Sequence, residues 1–160
     1  MEEKKKALVT GANGFIGSHL AEELVGRGWE VRCLVRRTHG LGWIERLPVQ
    51  LVLGDCRDKP TLLPAVEGVD FVFHLAGVIN ALDWEDYFQA NVVGTRNLLE
   101  ACVEQNSGLR KFIHVSSISA AGPSEKGRAL TEDDSNRPIS DYGRSKLAGE
   151  EAVREFSGRL

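Results

Sequence analysis

Apolar residues in this chain gather into short continuous runs, and between the runs they return at helical intervals. The first run, "KALVT" (6–10), is stopped by glycine, the pattern of a buried strand. Behind it Phe15, Ile16, Leu20, Leu24 and Val25 fall at helical spacing until "GRG" (26–28) closes the segment. "EVRCLVR" (30–36) and "VQLVLGD" (49–55) repeat the strand pattern, with a helical stretch, "GLGWIERL", between them. "KPTLLPAVEG" (59–68) predicts a short helix in which Pro60 suits the first turn and Pro64 imposes a break or kink. "VDFVFHLAG" (69–77) is the fourth strand, and a long helix follows over 86–105 with Phe88, Val92, Leu99, Cys102 and Val103 along one side. "LRKFIHVSS" (109–117) is the fifth strand. Residues 122–141, rich in Gly, Pro, Ser and acidic side chains, form a loop or lid, and a last helix begins at Ser140.

Strands alternating with helices predict an α/β fold, a doubly wound parallel sheet in the order 3-2-1-4-5 with right-handed crossovers. The strands lack polar alternation, as expected when helices cover both faces. A length of 160 residues suits one domain, 1–160, with a full core. The net charge of −3 and the scattered basic residues leave no footprint for nucleic acid. "EEKKK" (2–6) is a solvated leader. Cys33, Cys56 and Cys102 are odd in number and lack C-x-x-C spacing, which fits a reducing cytoplasm and argues against a zinc site. No apolar run is long enough to span a membrane.

In a doubly wound sheet ligands sit beyond the carboxyl ends of the strands, where the first strand-to-helix turn lies. That turn here is "TGANGFIG", with Gly11, Gly14 and Gly17 spaced three and three, not the two and three of G-x-G-x-x-G. Glycine lets backbone approach a pyrophosphate, and free N–H groups at the helix start attract its charge. Tight helix–strand packing alone would also use such glycines. The end of strand two offers Arg36 and Arg37 where a carboxylate would bind an adenosine ribose. An arginine there accommodates a 2′-phosphate, which favours NADP over NAD, the plain alternative being two solvated arginines.

"YGRSK" sets Tyr142 and Lys146 four residues apart on one helical face. An ammonium beside a phenol favours the phenolate, making Tyr142 a usable proton donor and acceptor. Ser116 and Ser117 end strand five at the same edge, where a hydroxyl can donate to an oxygen that gains charge. The set Ser117, Tyr142 and Lys146 is therefore a candidate catalytic site. There is no G-x-S-x-G elbow, and His19 and His74 are read as packing or hydrogen-bonding residues.

These motifs, in this order, resemble the extended short-chain dehydrogenase/reductase family, the NAD-dependent epimerase/dehydratases, over nearly the whole chain. "TGANGFIG" resembles that family's phosphate loop, "GD" (54–55) its adenine-contacting turn, "HLAG" (74–77) the segment beneath the cofactor, "NVVGTRNLLEA" (91–101) its central helix and "YGRSKLAGE" its Y-x-x-x-K helix. The resemblance implies that Gly11, Gly14, Phe15, Ile16 and Gly17 hold the pyrophosphate. Asp55 with Cys56 would address the adenine. Leu75, Ala76 and Gly77 would run along the cofactor. It implies Ser117 as the group polarising the substrate oxygen, Tyr142 as acid/base and Lys146 as the ribose-binding lysine, with Asn91 bracing the central helix against strand four. "VRCLVRR" is similar to the NADP-using reductase branch.

Two departures shape the expectation. Ile118-Ser119 follows Ser117 where sugar-nucleotide dehydratases carry Asp-Glu, which argues against elimination chemistry. Family members also run to roughly twice this length, so the chain is expected to be truncated before the last strands and the C-terminal substrate domain. The resulting reading is a cofactor-binding domain of an NAD(P)-dependent epimerase or reductase with a small-molecule substrate, a sugar nucleotide or a ketone. The family's dimers imply a homodimer through the central and Tyr-bearing helices. The alternatives are a non-catalytic NAD(P)-binding regulatory module and an assembly piece.

Overall fold

The computed structural model describes residues 4–38, 40–124 and 127–160. The start of the 2–6 leader, position 39 after the arginine pair and two positions of the 122–141 loop lie outside the described residues. Five strands form one parallel sheet: β1 (Lys6–Thr10), β2 (Glu30–Val35), β3 (Gln50–Leu53), β4 (Phe71–His74) and β5 (Lys111–His114). Their order is β3-β2-β1-β4-β5, as the alternation of patterns predicts. Thr10 pairs with Leu34 on one side and His74 on the other, and His74 pairs with His114. The register therefore brings the carboxyl ends of β1, β2, β4 and β5 to one edge.

Alternate residues of the central strands feed two cores. Ala7, Val9, Val31, Cys33 and Val35 pack with Ala21 and Leu24 of helix α1 (Phe15–Gly26). Leu8, Leu34 and Val72 pack on the other face with Ala65 and Val66 of α2 (Leu63–Val66) and Leu98, Ala101 and Cys102 of α4 (Gly94–Gln105). Behind α4, Leu99 meets Ala152 and Phe156 of α6 (Asp141–Phe156). Every residue of β1 after Lys6 is buried, but β3 is an edge strand, and Leu51 and Leu53 stand exposed. Cover by helices is thus incomplete at that edge among the described residues.

Three predicted helices change shape. The 59–68 stretch divides into a 3₁₀ turn, Lys59–Thr61, and α2. Pro60 and Pro64 each sit at the start of a turn, where the missing N–H has no partner to lose. The "GLGWIERL" stretch is a single 3₁₀ segment, Gly42–Arg46. The central rod begins as α3 (Trp84–Tyr87), widens into a π turn over Phe88–Val93 and continues as α4, so the regular 3.6-residue period is broken where Asn91 lies. Strands four and five leave the sheet earlier than predicted, at His74 and His114, and a short helix that the pattern did not predict, α5 (Ile118–Ala121), follows.

Residues 122–124 and 127–140 hold no regular element, as predicted. The loop's ends are pinned together, since Arg137 N–H donates to Ala121 O at 2.8 Å and Gly122, with φ of 85°, lies against the Arg137 carbonyl. Within it Arg128 pairs with Asp134, which holds that carboxyl down at about 2.

Candidate functional site

A cleft of about 780 Å³ opens at the carboxyl edge of the sheet, between α1 and the segments that follow β3 and β4. Its size lies within the range of small-molecule sites. Gly11, Gly14, Phe15, Ile16, Gly17, Arg36, Asp55, Cys56, Leu75, Ala76 and Gly77, all predicted cofactor residues, line it.

The glycine turn is built by close approach. Gly11 has a φ of 67°, and a methyl placed on it would lie 2.8 Å from Ala76 N. A methyl on Gly17 would lie 2.1 Å from Gly11 O, so α1 can start against the turn only without a side chain there. Gly14 caps α1 in an extended conformation; no side chain caps that helix and no acidic residue stands in its first turn. The positive end of α1 is thus left for an anion in the cleft.

At the cleft's second end Asp55 is gripped by Arg57, whose backbone N–H donates to Oδ1 at 2.9 Å and whose guanidinium donates to Oδ1 at 3.2 Å and to Oδ2 at 2.9 Å. The Arg57 bonds, with smaller help from Arg36, hold the Asp55 carboxyl below its ordinary value. The Cys56 thiol is buried and pushed up to about 12 by burial, so it contributes wall and not reactivity. Its carbonyl accepts from Asn97 of α4 at 2.9 Å.

The third part is a buried polar frame. Asn91 Oδ1 accepts from Val78 N–H at 2.7 Å, and its Nδ2 donates to Val78 O at 3.0 Å and to Ser145 Oγ at 2.9 Å. Asn91 thereby braces the rod against the segment after β4, as predicted, and also against α6. Lys146 is only 5% exposed, and its Nζ donates to Val115 O at 2.8 Å. Burial lowers the Lys146 pKa, an effect opposed by the Glu150 carboxylate. A methyl on Gly77 would lie 3.9 Å from Lys146 Nζ, which places the ammonium at the cleft's end beside two wall residues, Gly77 and Val115.

Ser117 and Tyr142 are not part of the cleft wall. Ser117 caps α5, its Oγ accepting from Ser119 N–H at 3.2 Å, which leaves its own O–H proton able to donate. Tyr142 is half-buried, its ring 6.2 Å from that of Tyr87, whose hydroxyl donates to Ile79 O at the cleft. The two helices carrying them meet where Gly143 lies flat on Ser119 O. His74 is hydrogen-bonded on both ring nitrogens and His19 donates Nδ1–H to Phe15 O, so both fit the packing and hydrogen-bonding reading.

The pattern missed several wall residues: Arg57, the 78–82 segment, Asp86, Ala90 and Val115. Asp86 and Ala90 lie one turn apart at the head of the predicted central helix, a periodicity that could have flagged them.

A model of the NAD dependent epimerase/dehydratase family matches residues 7–159. The chain belongs to that family. Among curated relatives of this epimerase/dehydratase chain is a protein named sterol demethylase protein B from Methylococcus capsulatus, 35% identical over 151 residues that cover 91% of this chain and 45% of the relative. A ceramide reductase from Caulobacter vibrioides is 37% identical over 91% of this chain and 41% of its own length. The solved UDP-glucuronic acid 4-epimerase from Bacillus cereus, in complex with NAD, superposes with a TM-score of 0.80 at 35% identity, covering 96% of this chain and 52% of that one. The chain therefore spans about half the length of the relatives it matches. Among the described residues no helix is long and apolar enough to cross a membrane, and no group of side chains could hold a metal ion.

Proposed function

We propose that this chain is the dinucleotide-binding part of an NAD(P)-dependent epimerase or reductase acting at a hydroxyl- or carbonyl-bearing carbon of a small molecule. One observation carries the reading. An uncapped helix start and the Arg36–Asp55 end open on the same cleft, and the buried Lys146 ammonium lies just behind its wall at Gly77 and Val115. The glycine turn and the first N–H groups of α1 would hold a pyrophosphate, Asp55 the adenine, and Lys146 the nicotinamide ribose. The bound nicotinamide supplies or accepts hydride, the part of the chemistry that protein side chains do not provide.

The chain's own residues manage the proton and the orientation. Ser117 donates its free O–H to the substrate oxygen and fixes it. Tyr142 gives that oxygen a proton as its carbon gains hydride, and takes the proton back in the reverse direction. Lys146 follows Tyr142 by one helical turn on α6, its ammonium held on Val115 O. The substrate is a sugar nucleotide or a ketone; the relatives named for a sterol, for ceramide and for UDP-glucuronic acid span that range. Three unpaired cysteines fit a cytoplasmic setting.

Arg36 makes NADP the favoured cofactor, because a guanidinium suits the extra phosphate and no acidic residue follows β2 to repel it. Titration with both dinucleotides in both redox states, followed by thermal unfolding and calorimetry, tests this. A ligand at about 100 times its Kd stabilises by about 2.7 kcal/mol. NADP is expected to bind more tightly than NAD, and Arg36→Gln to cost NADP about tenfold while leaving NAD nearly unchanged. Stabilisation by neither dinucleotide overturns the cofactor reading; tighter binding of NAD overturns the role of Arg36.

A further inference from the structure

Beneath the cleft runs a line of buried hydrogen bonds that can be ordered in one way only. Thr95 Oγ1 donates its single proton to Asn91 O at 2.7 Å. The same oxygen lies 2.9 Å from His74 Nε2, so Nε2 must carry the proton of that bond. A neutral imidazole protonated at Nε2 has its lone pair on Nδ1, which lies 2.8 Å from Thr10 Oγ1. Thr10 must then be the donor, and its oxygen is left to accept Ala76 N–H at 3.1 Å. The order is Ala76 N–H to Thr10, Thr10 O–H to His74, His74 Nε2–H to Thr95, and Thr95 O–H to Asn91 O. Thr10 and His74 are 0% exposed, Thr95 and Asn91 1%. The opposite tautomer would ask Thr95 for two protons, and an imidazolium would leave the Thr10 proton without an acceptor.

The two ends of this line are parts of the site. Ala76 sits against Gly11, so its position sets the room under the phosphate turn. Asn91 holds Val78 and, through Ser145, the helix that carries Tyr142 and Lys146. We propose that His74, fixed as the neutral Nε2–H tautomer, is a positioning residue that holds the cleft floor at Ala76 in register with the Tyr142–Lys146 helix. Burial, with His114 and Lys146 nearby, lowers the His74 pKa well below its ordinary value, in keeping with a ring that stays neutral. A neutral ring of fixed polarity suits the task because the reversed tautomer would leave Thr95 one proton for two acceptors and the Thr10 proton without one. The proposal rests on the cofactor reading of the cleft for its functional part; the tautomer stands on the hydrogen bonds alone.

Long-range ¹⁵N–¹H correlation spectra of the labelled protein read the tautomer directly. The expected result is a pyrrole-type Nε2 and a pyridine-type Nδ1 for His74, unchanged between about pH 5 and pH 8. A protonated Nδ1, a mixture of tautomers or an imidazolium overturns the proposal. Thr95→Val keeps the shape and removes both bonds of that hydroxyl, and is expected to weaken dinucleotide binding by the folded protein about tenfold. Thr95→Ser is expected to restore it, as a merely volume-filling role would not. Wild-type affinity in a folded Thr95→Val protein overturns the positioning role. If that variant does not fold, Thr10→Val at the other end carries the same comparison, and the wild-type spectrum still decides the tautomer. Failure of the wild type to bind either dinucleotide would count against the cofactor reading and the positioning role, and is told apart by the intact tautomer pattern.

Discussion

At the residue scale the site depends on atoms that are absent as much as on those present. A Cβ on Gly17 has no place to go, because the obstacle is the backbone carbonyl of Gly11 and not a movable side chain. Gly17→Ala is therefore expected to cost about 2–4 kcal/mol of stability, together with the cofactor affinity. An unfolding free energy from urea titration within about 0.5 kcal/mol of wild type would contradict it. His114 presents the opposite case, a group whose polar atoms are superfluous. Both its ring nitrogens are buried without a hydrogen-bond partner among the described residues, with the ring centroid 5.3 Å from that of His74 and the ring pressed against Gly149. Burial, with the Lys146 charge, lowers it to about 4. The unfolded ring titrates near about 6.5, so between those values the unfolded chain binds the extra proton. Stability present above that range is lost as pH falls through it, and the loss ends near pH 4. His114→Phe removes the orphan and is expected to flatten this slope, with a gain at pH 5 on the order of 1–2 kcal/mol relative to wild type. Equal slopes in denaturant titrations of the two proteins would refute that.

At the element scale, the central rod and α6 do more than fill a layer. The π turn at Phe88–Val93 lets Asn91 face the segment after β4 while α4 keeps its apolar side on the sheet. The rod and α6 are tied by Asn91–Ser145 and by the Arg96–Glu155 ion pair. The family resemblance implies a homodimer through these two helices. However, none of the large exposed apolar side chains lies on α4 or α6, among the described residues. Such an interface would therefore be polar and weak at low concentration. Light scattering over a concentration series is expected to show a monomer shifting to a dimer; a monomer throughout would remove the dimer proposal.

At the scale of the whole molecule, the fold was legible because its main signal is periodic. Buried strands of a parallel sheet read as apolar runs, and helices covering them read as stripes, so strand order and layers followed from the pattern alone. The elements that escaped it, α5 and the split of 59–68, are short and set by caps and prolines more than by periodicity. On the proposed catalytic reading, Tyr142→Phe is expected to lower kcat by about 10²–10⁴ while dinucleotide affinity stays close to wild type. Unchanged turnover would leave the chain a binding module.

What the sequence determined by itself was the sheet and the glycine turn, and it marked Arg36, Asp55, Ser117, Tyr142 and Lys146 as candidates, because each is a local pattern or a motif with fixed spacing. What only the tertiary structure decided is who faces whom. Lys146 beside Gly77, and the ordered line from Ala76 through His74 to Asn91, join residues as many as 69 positions apart. Their contacts arise from strand register and helix packing, in which no single stretch of sequence carries both partners.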